Sequence, residues 1–298
     1  MNENFAIMNY TDYRQSITND LAARVANYQR TIGTASAAGI LGKLTSPLNL
    51  LADGDSWFDY PLDGIIPGIN TDIIAQLPGQ CAIQPHILNL AVHGDTTMNE
   101  LGLARTQKII NGIKAAPPGG KFDAILFSGG GNDIAGDQFC IWLSDAAGVG
   151  SNPAFALNPA RFNGILSVIE ASYLDLIQLR DDNLPGAPIF AHGYDFAIPS
   201  GVGVCGVGPW LKPSLDFCGW TIPAAALQIV HDAIAQFGNL VARLASNPAN
   251  NLIFVPTQGT LNSTQWANEL HPNKAGFGLM AAKFKTALAA YPAFAGRI

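Results

Sequence analysis

Short apolar runs alternate along the chain with longer segments that have helical apolar spacing. The runs are continuously apolar, as strands buried on both faces of a sheet are. We therefore predict strands at 48–53, 87–92, 123–130, 188–195 and 251–258. Apolar positions three and four residues apart predict helices at 98–116, 158–182, 222–246 and 273–291.

Strands that alternate with helices predict a parallel sheet with helices on both faces, a three-layer α/β/α sandwich. Residues 1–45 form a mostly helical N-terminal extension in this interpretation. Two long segments, 134–157 and 196–221, follow strands and are expected to hang as cap-like inserts over the edge where the strands end. We expect one domain over residues 1–298, a common size for a single α/β body.

Candidate chemistry lies just past the predicted strand ends, where parallel sheets gather their ligand sites. Ser56 follows the first strand, at a position expected to be a helix N-terminus whose N–H groups favour negative charge. Gly94 allows a close backbone approach, and Asn132 offers an amide donor. With the Ser56 N–H they would supply three donors to one oxyanion. His271, past the fifth strand, is the candidate base.

Composition and charge narrow the classes of function. Hydrophobic residues make up 48% and charged residues 13%, so we expect a large buried core. The formal charge of −6, without a Lys/Arg cluster, argues against nucleic acid as a partner. No apolar run approaches the roughly 18–20 residues of a membrane span. The start, "MNENFAIMNYTDYR", has no visible secretory signal, so a cytoplasmic location is expected, with export of a processed form left open.

Four short blocks occur in order, each past a predicted strand, and together they resemble one known family. They are "ADGDSW" (52–57), "VHGDTT" (92–97), "GGND" (130–133) and "ELHPN" (269–273). In this order they resemble the SGNH hydrolase superfamily, also called GDSL esterases and lipases. The resemblance covers roughly residues 46–291.

The resemblance implies a flavodoxin-like sheet of five parallel strands and a serine hydrolase mechanism without cofactor or metal. It makes Ser56 the nucleophile and His271 the general base. Gly94 and Asn132 would join the Ser56 N–H in the oxyanion hole. The implied activity is hydrolysis of a carboxylic ester through an acyl-enzyme.

The sequence departs from the family at the position three residues before the histidine, where the family usually has an acid and this chain has Asn268. Three groups can orient His271: the carboxylate of Glu269, the side-chain oxygen of Asn268, or a backbone carbonyl at 268. A neutral acceptor fixes the imidazole tautomer but stabilises the imidazolium less than a carboxylate does. The sequence leaves these alternatives open.

The substrate is expected to be a small-molecule or lipid-like ester, since the inserts are hydrophobic. Trp57 and His93 are expected to line the pocket. A carbohydrate O-acetyl esterase is an alternative, with a sugar stacked on Trp57, Trp142, Trp210 or Trp220. A second alternative is a catalytically inactive binding domain, suggested by the missing acid. Acyl length, natural substrate and oligomeric state do not follow from the sequence.

Other motifs point to no cofactor or metal. "GVGVCG" (201–206) spells a dinucleotide pattern, but a segment with two prolines, expected to block a helix, follows it. "DGDSWFDYPLDG" (53–64) lacks the glycine and glutamate of a calcium loop, and the histidines show no zinc spacing. Cys205 and Cys218 are a candidate disulfide pair, with free thiols as the alternative.

Overall fold

A five-stranded parallel sheet forms the centre of the molecule. The computed structural model describes residues 10–37, 46–60, 72–97, 103–116, 121–204 and 207–298. All strand pairs are parallel, and the spatial order is β2-β1-β3-β4-β5. The strands are β1 (Asn49–Gly54), β2 (His86–Asn89), β3 (Ala124–Ser128), β4 (Ile189–His192) and β5 (Leu252–Val255).

All five predicted strands are confirmed, and the order is the flavodoxin-like one. β1, β3 and β4 are buried along their whole length, which explains why their sequences show no polar alternation. Four of the strands end two to three residues earlier than their apolar runs. The residues that follow enter the loops of the site, although Leu90 and Val92 still donate their N–H groups to the Ala52 and Gly54 carbonyls of β1.

Helices cover both faces of the sheet, so the predicted α/β/α sandwich is confirmed. α2 packs against α9, whereas α6 packs against α3 and α8. The helices are α1 (Tyr10–Ala37), α2 (Ile73–Gln80), α3 (Leu103–Lys114), α4 (Gly131–Ile134), α5 (Phe139–Trp142), α6 (Pro159–Asn183), α7 (Lys212–Phe217), α8 (Pro223–Ala245) and α9 (Lys274–Ala290).

The four predicted helices correspond to α3, α6, α8 and α9, although residues 98–102 of the first prediction lie outside the described ranges. The sequence pattern missed α2 and the short helices α4, α5 and α7. The expectation that prolines block a helix after residue 206 is wrong. Pro213 stands in the first turn of α7, where its missing N–H has no intrahelical partner to lose.

The N-terminal helix α1 packs beside the sheet and contacts the edge that carries the site. Its Tyr28 ring stacks on Phe122, with ring centroids 5.5 Å apart. Its Arg24 donates to Asp59 Oδ1 at 2.7 Å and to the Ala91 carbonyl at 3.2 Å. Because Asp59 closes the turn after β1, α1 supports that turn from outside the sheet.

Candidate active site

Ser56 lies in a tight turn directly after β1. The Asp55 N–H donates to the Ser128 carbonyl at 2.9 Å, and the Asp55 carbonyl accepts from Phe58 and Asp59 at 3.0 Å each. The expected helix N-terminus at Ser56 is therefore a hydrogen-bonded turn instead. Gly54 has φ +147°, and a Cβ there would lie 2.1 Å from the Ser128 carbonyl oxygen, so only glycine allows this approach between β1 and β3.

The structure brings Ser56 and His271 together from opposite ends of the sequence. Ser56 Oγ lies 2.7 Å from His271 Nε2, which is hydrogen-bond distance. Both residues are buried, with 7% and 5% of their surface exposed. A hydroxyl and an imidazole at this distance are the pair that nucleophilic catalysis by serine requires.

Asn268 orients the His271 ring through its side-chain oxygen. Asn268 Oδ1 lies 3.0 Å from His271 Nδ1 and also accepts the backbone N–H groups of Leu270 and His271, each at 3.0 Å. Because two backbone donors point at this atom, it must be the amide oxygen rather than the nitrogen. His271 Nδ1 therefore carries the proton and donates it to Asn268.

This hydrogen bond fixes the tautomer that catalysis needs. With the proton on Nδ1, Nε2 has a free lone pair directed at the Ser56 hydroxyl. The bond runs to the side-chain oxygen of Asn268, not to its main-chain carbonyl. Of the three alternatives that the sequence left open, the geometry matches the amide.

Glu269 has a different role from the one considered for it. Its buried carboxylate accepts four backbone N–H groups, all from the insert 196–221. The donors and distances are Gly201 (2.8 Å), Trp210 (2.6 Å), Leu211 (2.7 Å) and Lys212 (3.1 Å). Asn268 faces the ring of His271, while the side chain of Glu269 faces the insert. Glu269 therefore holds the insert against residues 266–271, which we call the histidine loop.

His271 is held in its neutral form. Burial lowers its pKa to about 3, and the nearby charge of His93 contributes in the same direction. The ring edges of Tyr60 and Trp210 pack around it, with centroid distances of 5.0 and 5.7 Å. A neutral imidazole can accept the Ser56 proton, but among the described residues no carboxylate is hydrogen-bonded to this ring to stabilise the resulting cation.

The second and third sequence blocks are tied to each other beside Ser56. Asn132, in α4, lines the cavity next to Ser56, and its Nδ2 donates to the Asp95 carbonyl at 2.7 Å. Asp133 accepts from Thr97 N–H at 2.7 Å and from the Thr97 hydroxyl at 2.9 Å. Gly94 lies in this linked loop with φ +80° and is exposed. The Asn132 amide has a second N–H, which is not the one donated to the Asp95 carbonyl.

A largely apolar cavity opens beside Ser56 and His271. It encloses about 590 Å³ of space between atoms, including its mouth. Both inserts contribute to it, Ile134 and Phe139 from the first and Ala197 and Leu211 from the second. The remaining apolar wall comes from α8 and the histidine loop, and consists of Val230, Ala233, Ile234, Phe237 and Leu270.

The aromatic residues proposed for substrate contact differ in position. Trp57 lines the cavity but is 4% exposed, and its Nε1 donates to the Leu270 carbonyl at 3.0 Å, which supports the histidine loop. Trp210 is half-buried beside His271. The indole N–H of Trp142 donates to the Ile134 carbonyl, and that of Trp220 donates to the Ser144 carbonyl.

His93 is not among the residues that line the cavity. Its Nδ1 lies 3.2 Å from Asp59 Oδ2, the carboxylate that also binds Arg24 of α1. Its side chain is 40% exposed. The residue therefore lies at the rim, close enough to influence His271 electrostatically.

The remaining sequence expectations concern cysteines and metals. Cys205 lies outside the described residues, so the pairing with Cys218 has no structural counterpart. The Cys218 thiol instead lies 3.7 Å from the Cys140 carbonyl, and Cys81, Cys140 and Cys218 are free. Among the described residues, no group of three His, Cys, Asp or Glu side chains has the arrangement of a metal site.

A buried network of polar side chains beneath the nucleophile was not predicted from the sequence. Tyr194 and Ser128 each donate a hydrogen bond to Asp55, and His192 is hydrogen-bonded to Ser128. Only the positions of His192, the last residue of β4, and of Tyr194, just past it, gave any sequence signal. Which polar atoms meet there depends on the register of three strands.

Several solved structures have folds similar to that of this chain. One is a member of the lipolytic protein G-D-S-L family from Veillonella parvula DSM 2008, at 15% identity, covering 82% of this chain and 99% of that one, with a TM-score of 0.46. Another is an extracellular lipase from Streptomyces rimosus, at 18% identity, 80% and 99% coverage and a TM-score of 0.46. A carbohydrate esterase family 3 protein from Talaromyces cellulolyticus has 13% identity, 81% and 96% coverage and a TM-score of 0.40.

In the order of its four sequence blocks the chain resembles the SGNH hydrolases, and the solved structures add a likeness of fold alone. No protein-family model and no curated protein matches the sequence. At the identities and TM-scores of the solved structures the likeness assigns no activity, so the chemistry rests on the contacts of Ser56 and His271.

Within the described part of the chain, none of the helices combines the length and the apolar character needed to span a bilayer.

Proposed function

We propose that the protein is a serine hydrolase of the SGNH type that cleaves carboxylic esters. The observation that carries the proposal is the contact of 2.7 Å between Ser56 Oγ and His271 Nε2, with the ring oriented by Asn268. An idle binding domain would have no need for a buried serine–histidine pair in the reactive tautomer.

The reaction follows from the protonation states of this pair. Ser56 Oγ attacks the ester carbonyl while its proton passes to His271 Nε2. The imidazolium then gives that proton to the departing alkoxide, which leaves an acyl-enzyme on Ser56. Neutral His271 next takes a proton from water, and the hydroxide released at that moment attacks the acyl carbonyl. The Ser56 oxygen then leaves and takes back the proton held by His271. This step regenerates the free serine and releases the carboxylic acid.

Three donors are proposed for the oxyanion: the Ser56 N–H, the Gly94 N–H and the second N–H of Asn132. Asn132 lies beside Ser56 in the cavity wall, and its link to Asp95 keeps it near the loop of Gly94. Donors held in place before the reaction stabilise the developing charge without reorganisation. A single donor of this kind contributes a factor of about 10²–10³ in kcat.

The cavity favours an acyl chain over a charged or sugar substrate. Its wall is formed by Ile134, Phe139, Phe237 and other apolar side chains. Burial of a methylene group contributes roughly 0.8 kcal/mol, so each added carbon that fits should lower KM. Trp57 and Trp220 are at most 4% exposed, so neither presents an open ring face to a sugar.

A substrate series tests the proposal. We expect hydrolysis of p-nitrophenyl esters, with kcat/KM rising from acetate to butyrate or longer chains and exceeding that on acetylated xylan. Ser56→Ala should lower kcat by about 10⁶-fold, whereas Ser167→Ala, on the exposed surface of α6, should not. Higher activity on acetylated xylan would favour the carbohydrate esterase, and activity that survives Ser56→Ala would contradict the mechanism.

A further inference from the structure

A buried network of hydrogen bonds lies directly beneath the nucleophile and connects three elements. Its centre is Asp55, the residue before Ser56, which is 2% exposed. Asp55 Oδ1 accepts the Trp57 N–H at 3.0 Å and the Ser128 hydroxyl at 2.8 Å. Asp55 Oδ2 accepts the Tyr194 hydroxyl at 2.5 Å. The proposed chemistry uses none of these groups directly.

The direction of each hydrogen bond in the network is fixed. The Tyr194 backbone N–H donates to His192 Nδ1 at 3.1 Å, so the His192 proton is on Nε2 and is donated to Ser128 Oγ at 2.9 Å. The Ser128 hydroxyl proton therefore goes to Asp55. The Gly131 N–H donates to the Tyr194 oxygen at 3.0 Å, so the Tyr194 proton also goes to Asp55. Every donor agrees with an ionised Asp55.

Tyr194 is the part of this network that joins the two halves of the site. Its hydroxyl contacts Asp55, next to the nucleophile, and Gly131, next to the proposed oxyanion donor Asn132. The ring lies against Gly131, where a Cβ would come within 2.7 Å of it. Tyr194 itself has φ +56°, a backbone conformation that residues other than glycine rarely adopt. The Thr257 hydroxyl donates to the Tyr194 carbonyl at 2.6 Å.

The geometry points to Tyr194 and Asp55 as positioning residues that hold the Ser56 turn and the Asn132 segment at a fixed separation for catalysis. This inference rests on the proposed function. Neither residue is assigned contact with the reacting atoms. Losing the bridge would let the nucleophile and the oxyanion donors shift relative to each other, and a misplacement of about 1 Å can cost ~100-fold in rate.

Ionisation of Asp55 adds a readout that a purely structural role would lack. Burial raises the pKa of Asp55 to about 6, the nearby charge of Asp133 adds to this, and the bonds from Tyr194, Trp57 and Ser128 oppose it. His192 stays neutral, because burial lowers its pKa to about 3. A protonated Asp55 cannot accept all three donors. Activity should therefore fall as the pH drops through about 6.

The test compares Tyr194→Phe with Tyr173→Phe. Tyr173 is also a buried tyrosine, and its hydroxyl donates to the Gly129 carbonyl at 2.9 Å, so the control removes a buried hydroxyl outside the bridge. For Tyr194→Phe we expect kcat to fall roughly 10–100-fold with KM nearly unchanged. The acidic limb of the kcat–pH profile should move to higher pH, because the lost bond had lowered the Asp55 pKa. Tyr173→Phe should leave both features near wild type.

If Tyr194→Phe does not fold, Asp55→Asn takes its place as the test variant. It should remove the acidic limb of the kcat–pH profile near pH 6. Unchanged kcat and an unchanged limb in Tyr194→Phe, or equal losses in both tyrosine variants, would overturn the inference. Wild-type protein is assayed first. If it hydrolyses no ester, the proposed function fails; if it is active and the tyrosine variants do not differ, only the positioning role fails.

Discussion

At the scale of single residues, the site is unusual in the partner of its base. Asn268 gives His271 the correct tautomer but carries no charge, and burial keeps the pKa of the ring low. In the proposed mechanism, the imidazolium that forms in the transition state is therefore stabilised less than it would be by a carboxylate. The position of Asn268 suits a carboxylate, because its Oδ1 already accepts three N–H groups.

Asn268→Asp should consequently raise both the pKa of His271 and kcat. A carboxylate at 3.0 Å from Nδ1 favours the charged ring, and each ~1.4 kcal/mol of added transition-state stabilisation raises kcat tenfold. We expect an increase of about tenfold or more at pH 8, measured with p-nitrophenyl butyrate. NMR titration of the ring in a Ser56→Ala background should show the higher pKa. A lower kcat in the aspartate variant, with the fold intact, would show that the amide was needed.

The residues of the pair were predictable from sequence, whereas their orientation was not. Ser56 and His271 lie past strand ends, and parallel topology brings such positions to one edge. Asn268 and Glu269 are adjacent in a tight turn closed by the Ala267 N–H and the His271 carbonyl at 2.9 Å. Which of the two side chains faces the ring depends on that turn, and spacing along the chain does not encode it.

At the scale of elements, the two inserts are the parts that shape the cavity, and each is fastened from elsewhere. The insert 196–221 is held by the four N–H bonds to Glu269, and the Ala146 N–H of the other insert donates to the Cys218 carbonyl at 2.9 Å. Ala197 and Leu211, which line the cavity, depend on these contacts.

Glu269→Gln should therefore weaken the attachment of the insert 196–221 and leave the reaction of Ser56 and His271 largely intact. An amide in place of the carboxylate leaves buried donors unsatisfied, at a cost of about 1–3 kcal/mol in the free energy of unfolding. We expect a lower Tm and a higher KM, with kcat reduced less than tenfold. Glu170→Gln, which breaks an exposed ion pair with Arg243, is the matched control and should change Tm little. A loss of kcat of ~10²–10⁴-fold at unchanged Tm would instead assign Glu269 to the base.

The long elements could be predicted and the short ones could not, for a physical reason. A strand buried on both faces, such as β3, must be apolar throughout, and a helix on a sheet must repeat its apolar face. α4, α5 and α7 are four to six residues long, too short to show a period. Their positions follow from packing over the sheet edge, which local sequence does not specify.

At the scale of the whole molecule, the fold converts four distant sequence blocks into one site. Ser56 and His271 are 215 residues apart in sequence, yet their reactive atoms are in contact because β1 and the segment after β5 reach the same edge. α1 adds a further connection, from Arg24 through Asp59 to the rim residue His93. The cavity then lies between this edge, the inserts and α8.

The most direct test of the account is labelling with a fluorophosphonate, followed by peptide mass spectrometry. Attack on such a probe needs an activated serine, so we expect a single adduct on Ser56 in the intact protein. Ser56→Ala should give none, and His271→Ala should react far more slowly although its serine is present. An intact, folded protein that forms no adduct, or forms it at another serine, would contradict the central claim that Ser56 and His271 form a working catalytic pair.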